Sequence, residues 1–238
     1  MNITLTGFMG TGKTVVGKRL AKLLGWQFVD LDRLIEASAK KPVAKIFAEH
    51  GERVFRRLEK RMIHRVTRGR EQVIATGGGA FVDAGNRRVL RAVGPVICLT
   101  AAPKAILQRV GPTLANRPLL AGGPPLVRIQ TLLAQRASAY AKADLMIDTS
   151  LLTVDEVVDR IWAKVGPWMS RSWQYLLRHS SQLAQRYGGK YIVVLDDRIA
   201  AVGTTQLEAY QRIQRPIPAN REVGIYYVPL PEESAVAL

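Results

Sequence analysis

The sequence predicts an α/β protein: a five-stranded parallel sheet with helices on both faces, followed by a small α+β module. Three observations predict it. Five short apolar, β-branched segments between Asn2 and Asp148 alternate with stretches of helical period, the pattern of a parallel sheet with crossover helices. The first segment runs straight into Gly7-Phe8-Met9-Gly10-Thr11-Gly12-Lys13-Thr14 and then into a helical run. The alternation stops at Gly166-Pro167, after which a helix, a β-hairpin and a last strand are expected. Two domains are therefore expected, residues 1–166 and residues 167–238.

Residues 2–6 read as the first strand and residues 15–24 as a helix with Val16, Leu20, Leu23 and Leu24 on one face. The G-x-x-x-x-G-K-T between them is a phosphate-binding loop, because it sits between a strand and a helix. Its glycines let consecutive N–H groups turn toward one anion, and the helix N-terminus adds partial positive charge. Lys13 is placed to reach the outer phosphates of a nucleoside triphosphate, and Thr14 to offer a hydroxyl to Mg²⁺. Residues 26–29 form a second strand ending in Asp30-Leu31-Asp32, at the sheet edge where open α/β sheets bind ligands. Asp30 suits Mg²⁺ through water, and Asp32 suits a proton or hydrogen bond from a substrate hydroxyl. One of the two also suits the cap of a helix starting near Arg33.

Residues 42–68 are expected to be helical with a break near Gly51 and an apolar stripe of Val54, Phe55, Leu58, Met62 and Ile63. Of Arg56 and Arg57, one is expected to face a pocket and the other water. A third strand, residues 72–76, runs into Gly77-Gly78-Gly79, three glycines that imply close backbone approach to a ligand. That strand lacks the usual Walker B aspartate, which separates the chain from most motor and GTPase families. A helix over 83–91, a strand over 95–99 and a helix over 103–110 follow. Residues 111–125 are rich in Gly and Pro, with Arg117 as their one charge. They are too long for a plain connector and are expected to form a mobile lid whose arginine closes on phosphate. A helix over 126–142 carries Ile129, Leu132, Leu133 and Ala137 as its stripe, with Arg136 beside it. The fifth strand, 145–147, and a closing helix, 154–165 with Thr153 as its cap, complete the first domain.

The formal net charge of +16 is concentrated in residues 1–166, which carry +14 of it. Such a surface attracts polyanions. No basic run is interleaved with aromatics, so nucleic acid is not an expected partner, and Arg65, Arg68, Arg70, Arg87, Arg88 and Arg91 read as solvated helix faces. No apolar run reaches the roughly 18 residues of a membrane helix. The first strand begins at once, leaving no room for a signal peptide, and Cys98 in Val-Ile-Cys-Leu reads as a buried core thiol. A cytoplasmic protein is expected.

Several motifs coincide in order and spacing: GFMGTGKT at 7–14, FVDLD at 28–32, FRRLE at 55–59, TGGG at 76–79, RPLL at 117–120 and QRASAY at 135–140. On these, residues 2–165 resemble shikimate kinase, a small P-loop NTPase-like family of the nucleoside monophosphate kinase-like group. The resemblance implies phosphorylation of the 3-hydroxyl of shikimate by ATP with Mg²⁺. It implies that Gly10, Thr11, Gly12, Lys13, Thr14 and Val15 wrap the phosphates, with Thr14 on Mg²⁺ and Asp30 behind its waters. It implies that Asp32 binds the hydroxyls as candidate base, that Arg56 and Arg136 clamp the carboxylate, and that the backbone of Gly77, Gly78 and Gly79 meets the substrate. Arg117 then reaches the ATP phosphates, Arg109 stacks on adenine, and Thr153 lies near it. Read alone, the residues leave open a gluconate kinase-like hydroxy-acid kinase and a catalytically weak ATP-dependent binding module.

After Gly166-Pro167, one helix over 168–186, a hairpin of residues 190–195 and 198–202, a short helix over 205–213 and a strand over 222–228 are expected. Trp173, Leu176, Leu177, Leu183 and Tyr187 are its expected apolar contacts. This stretch resembles a small prokaryotic module of unknown function. It holds no His/Cys cluster or glycine-rich loop, and two roles stay open for it: packing on the first domain, or protein or self-association.

Overall fold

The computed structural model describes residues 1–120, 122–166, 170–213 and 223–230. The chain divides into two compact units, Met1–Trp162 and Ala163–Leu238. In the first, β1 (Ile3–Gly7), β2 (Gln27–Asp30), β3 (Gln72–Ala75), β4 (Val96–Thr100) and β5 (Leu145–Asp148) form one parallel sheet in the order β2-β3-β1-β4-β5. The helices are α1 (Lys13–Leu24), α2 (Leu31–Ala39), α3 (Val43–Val66), α4 (Ala84–Ala92), α5 (Pro103–Val110), α6 (Pro125–Tyr140) and α7 (Val154–Val165). The register sets Leu5 and Asp30 both against Ala75. The segments leaving β1, β2 and β3 therefore emerge side by side at one sheet edge, which is where the site forms.

Strands β1 and β4 are buried along almost their whole length, so their apolar runs do not alternate. The main core lies between the sheet and α2, α3, α4, α5 and α6, with Phe8, Ile35, Phe55, Ile63, Phe81, Ile106, Ile129 and Tyr140 in it. Cys98 lies in this core, and burial pushes its thiol up to about 12.

Two expected stripes need correction. Leu23 is exposed; α1 buries Val16, Gly17, Leu20, Ala21 and Leu24 instead. Its small residues face the sheet because there is no room for larger ones: a Cβ on Gly17 would run into the Phe28 ring. Ala137 is also exposed, and α6 buries Arg136, Ala139 and Tyr140. Helix α3 does break at Gly51, whose φ of 74° is left-handed. Arg56 is half-buried and Arg57 exposed.

The stretch expected as a mobile lid is folded into two 3₁₀ segments, Gly111–Asn116 and Pro118–Leu120, and Leu120 is buried in the core. Ala121 and the side chains of Thr113, Ala115, Asn116 and Pro118 lie outside the described residues.

In the second unit, α8 (Arg171–Arg178) and α9 (Ser180–Tyr187) precede β6 (Lys190–Leu195), β7 (Arg198–Gly203), α10 (Gln206–Gln211) and β8 (Val223–Val228). The single helix expected here is two, broken at His179 before Ser180-Ser181, a pair of weak helix formers. The hairpin gains a third strand, giving an antiparallel sheet β7-β6-β8. Successive β6 residues serve opposite faces: Ile192 and Val194 pack with Leu183 and Tyr187, and Val193 packs with Ala201 and Ala209. Trp168 and the Leu177 side chain lie outside the described residues.

Candidate functional site

The phosphate loop leaves β1 at Gly7, pressed so close to β4 that a Cβ would overlap Leu99 O. Two bonds hold the loop from within: Thr11 Oγ1 donates to Phe8 O at 2.8 Å, and Lys13 Nζ donates to the same oxygen at 2.7 Å. The cap of α1 is Gly12, which contributes no side-chain hydrogen bond, so the first N–H groups of the helix are left for an anion. Burial pulls Lys13 down to about 8, against the raising fields of Asp32, Cys98 and Asp30.

Asp30 serves two elements. Its Oδ1 accepts from Asp32 N and Arg33 N, capping α2, while Oδ2 accepts from Thr14 Oγ1 at 3.1 Å. Asp32 therefore stands in the first turn of α2 rather than at the end of a strand, a correction that follows from the helix starting at Leu31. Burial, with the nearby Asp30 charge, raises Asp32 above the usual carboxylate range, and Lys13 and Arg117 oppose this.

A cavity of about 720 Å³ collects most of the expected site residues. Gly10, Gly12, Lys13, Thr14, Val15, Asp30, Asp32, Arg56, Gly77, Gly78, Gly79, Arg117 and Arg136 all lie on its wall. Thr11, Arg109 and Thr153 do not. Thr11 is inside the loop, and Arg109 ties Gly10 O to Thr149 and Ser150. Thr153 exchanges hydrogen bonds with Glu156 in a capping box at the start of α7.

The three glycines after β3 each face a different functional group. A Cβ on Gly77 would stand 2.8 Å from Glu59 Oε1 and 2.9 Å from Asp32 Oδ1, and one on Gly78 would stand 3.1 Å from Arg136 Nη1. One on Gly79 would fall within the Arg56 guanidinium. Arg136 is 7% exposed and lies over the Phe8 ring, 5.3 Å from its centroid. Asp32 Oδ1, Glu59 Oε1 and Arg136 Nη1 are buried without a hydrogen-bond partner among the described residues. Leaving such groups unpaired is costly, so their convergence on one cavity is the mark of a polar ligand site.

Sequence reasoning did not single out Glu59 or Tyr140. Glu59 is fully buried on α3, three residues after Arg56, and accepts from Arg56 Nη1 at 2.8 Å. Burial pushes it up to about 7 despite that arginine. A carboxylate at a core position of the stripe that holds Phe55, Met62 and Ile63 was the available signal. Tyr140 donates to Gly78 O at 2.6 Å, one turn after Arg136.

A family model described as Shikimate kinase matches residues 9–166, and one described as a family of unknown function (DUF5678) matches residues 182–232. A shikimate kinase of Symbiobacterium thermophilum is 48% identical over 69% of this chain and 96% of its own length. One from Caldanaerobacter subterraneus subsp. tengcongensis is 46% identical over 67% of this chain and 93% of its own. Among solved structures, the shikimate kinase from Acinetobacter baumannii in complex with shikimate is 36% identical. It covers 69% of this chain and 92% of that one, with a TM-score of 0.66. With its phosphate loop, acidic pair, arginines and glycine turn assembled on one sheet edge, the chain belongs to the shikimate kinase family.

Proposed function

We propose that the chain transfers the γ-phosphate of ATP to the 3-hydroxyl of shikimate, giving shikimate 3-phosphate and ADP, in the cytoplasm. The observation that carries the division of roles is the set of buried, unpartnered polar atoms on Asp32, Glu59 and Arg136 beside the phosphate loop. Two acids and a guanidinium at that depth suit a small acid rich in hydroxyls.

The triphosphate lies along residues 10–15, its charge met by the N–H groups opening α1, by Lys13 and by Arg117. The adenine lies toward Arg109 and Thr153. The substrate carboxylate lies between Arg56 and Arg136, whose planar forks match it bidentately. Arg56 already pairs with Glu59 and, at 2.9 Å, with the exposed Glu52; the carboxylate takes the place of Glu52, and Glu59 keeps the fork aimed. The 3-hydroxyl lies at Asp32, which takes its proton as the new O–P bond forms and the bond to the ADP oxygen breaks. The Thr14 hydroxyl and Asp30 carboxylate, 3.1 Å apart on the cavity wall, fit Mg²⁺ held directly by Thr14 and through water by Asp30. Bound there, the ion neutralises phosphate charge.

Steady-state kinetics test the assignment. Arg136→Ala removes a charge-assisted bond and should raise the KM for shikimate about 10–100-fold with a smaller change in kcat. Arg117→Ala removes charge stabilisation from the transition state, where such an arginine is worth ~10³–10⁵ in rate, so kcat should fall far more than shikimate binding weakens. The reverse pattern would break the role assignment. Residues 167–238 carry no chemistry in this reading and are proposed to mediate association with a second copy. Leu207 and Tyr210, which α10 turns to solvent, support this. Sedimentation should give a larger species for the full chain than for residues 1–166, and equal monomers would refute it.

A further inference from the structure

We propose that Tyr140 is a positioning residue: it locks the turn at residues 77–80 in the one of its two states that offers N–H groups, not a carbonyl, to the substrate carboxylate. The proposal rests on the carboxylate site assigned above.

Ala80 N donates to Gly77 O at 3.1 Å, which makes residues 77–80 a β-turn with Gly78 and Gly79 at its centre. Gly79 has φ −98° and ψ −14°, the third-position geometry of a type I turn. A type II turn would need a positive φ there. The two types differ by a half-rotation of the peptide joining the central residues, which exchanges the faces shown by Gly78 C=O and Gly79 N–H. A side chain at the third position normally disfavours type II; glycine removes that barrier. With glycine at both centres, the turn itself does not choose.

The choice comes from α6. Tyr140 is 3% exposed, and its hydroxyl donates to Gly78 O at 2.6 Å. Burial pushes the phenol up to about 12, so it stays a donor at any working pH. The Gly78–Gly79 peptide is trans, as no described residue has a cis peptide, so with Gly78 C=O turned to Tyr140 the Gly79 N–H points the opposite way. Gly78 and Gly79 line the cavity and Tyr140 does not. Neither glycine N–H donates to another group among the described residues. Arg56 and Arg136 are the guanidiniums that meet Cβ positions on Gly79 and Gly78, so the turn and the two arginines share one stretch of the cavity wall. A flipped peptide would set carbonyl lone pairs against the carboxylate. Arg136 and Tyr140 are four residues apart on α6, so one helix face carries both clamp and lock.

The test is Tyr140→Phe in the full-length chain, with Arg136→Ala alongside. Losing one ordinary hydrogen bond should raise the KM for shikimate roughly three- to tenfold, leaving kcat and the KM for ATP unchanged. An analogue with the carboxylate reduced to an alcohol should bind wild type and Y140F equally. Two results overturn the lock: an unchanged KM for shikimate, or matching losses in all three constants together with a lower Tm, which is what a merely structural hydroxyl gives. If Arg136→Ala leaves the KM for shikimate unchanged, the carboxylate site itself is wrong; if only Y140F leaves it unchanged, the lock alone falls. A second measurement needs no variant. In glycine-¹⁵N-labelled wild type, the Gly79 amide should shift on adding shikimate, and an unmoved Gly79 amide refutes the proposal.

Discussion

Glu59 places a carboxyl group at full burial between Arg56 and Asp32, and its position has a thermodynamic signature. Its folded pKa of about 7 lies above the ordinary 4.5, so the native protein holds a proton that the unfolded chain has released between those values. That contribution to stability is fully present below the unfolded value and is lost as pH rises through the folded one. The Tm of wild type relative to Glu59→Gln should therefore be more favourable at about pH 5.5 than at about pH 8. A difference that does not change with pH would contradict the burial of this carboxyl. At this scale the sequence made most of the site legible, because a phosphate loop, a D-x-D and a glycine run each demand special residues. Glu59 and Tyr140 were not legible in the same way. Each sits in an apolar stripe, where its role depends on which neighbour it meets: Arg56 for one, Gly78 O for the other.

Elements were legible where periodicity had one buried face to report. Strand β1, the break of α3 at Gly51 and the bounds of α5 and α7 follow from their patterns. The pattern misled at α1, because close approach to the sheet selects small residues. Gly17 rather than Leu23 faces inward, against Phe28. Gly17→Val should therefore overpack this contact and cost about 1–3 kcal/mol. Denaturant unfolding should report that loss, while the KM for shikimate of the folded variant stays at the wild-type value. An equally stable Gly17→Val would mean that α1 does not lie this close. Gly and Pro composition did not reveal that segment 111–120 folds into 3₁₀ turns with Leu120 in the core.

For the molecule as a whole, the site is a product of strand order. The sequence of strands β2-β3-β1 brings three loops together, and each supplies one part: the acidic pair, the glycine turn and the phosphate loop. That order was not read from the sequence, since alternation of strands and helices does not by itself say which strands are neighbours. The described residues that line the cavity all lie within Met1–Trp162. The most direct measurement is identification of the product. Full-length protein and residues 1–166 would each be incubated with ATP, Mg²⁺ and shikimate, and the phosphorylated compound assigned by ³¹P and ¹H NMR. Shikimate 3-phosphate should form at the same rate per site with both, and Asp32→Asn should abolish it. ATP consumption that does not depend on shikimate, or phosphate on another hydroxyl, would contradict the account.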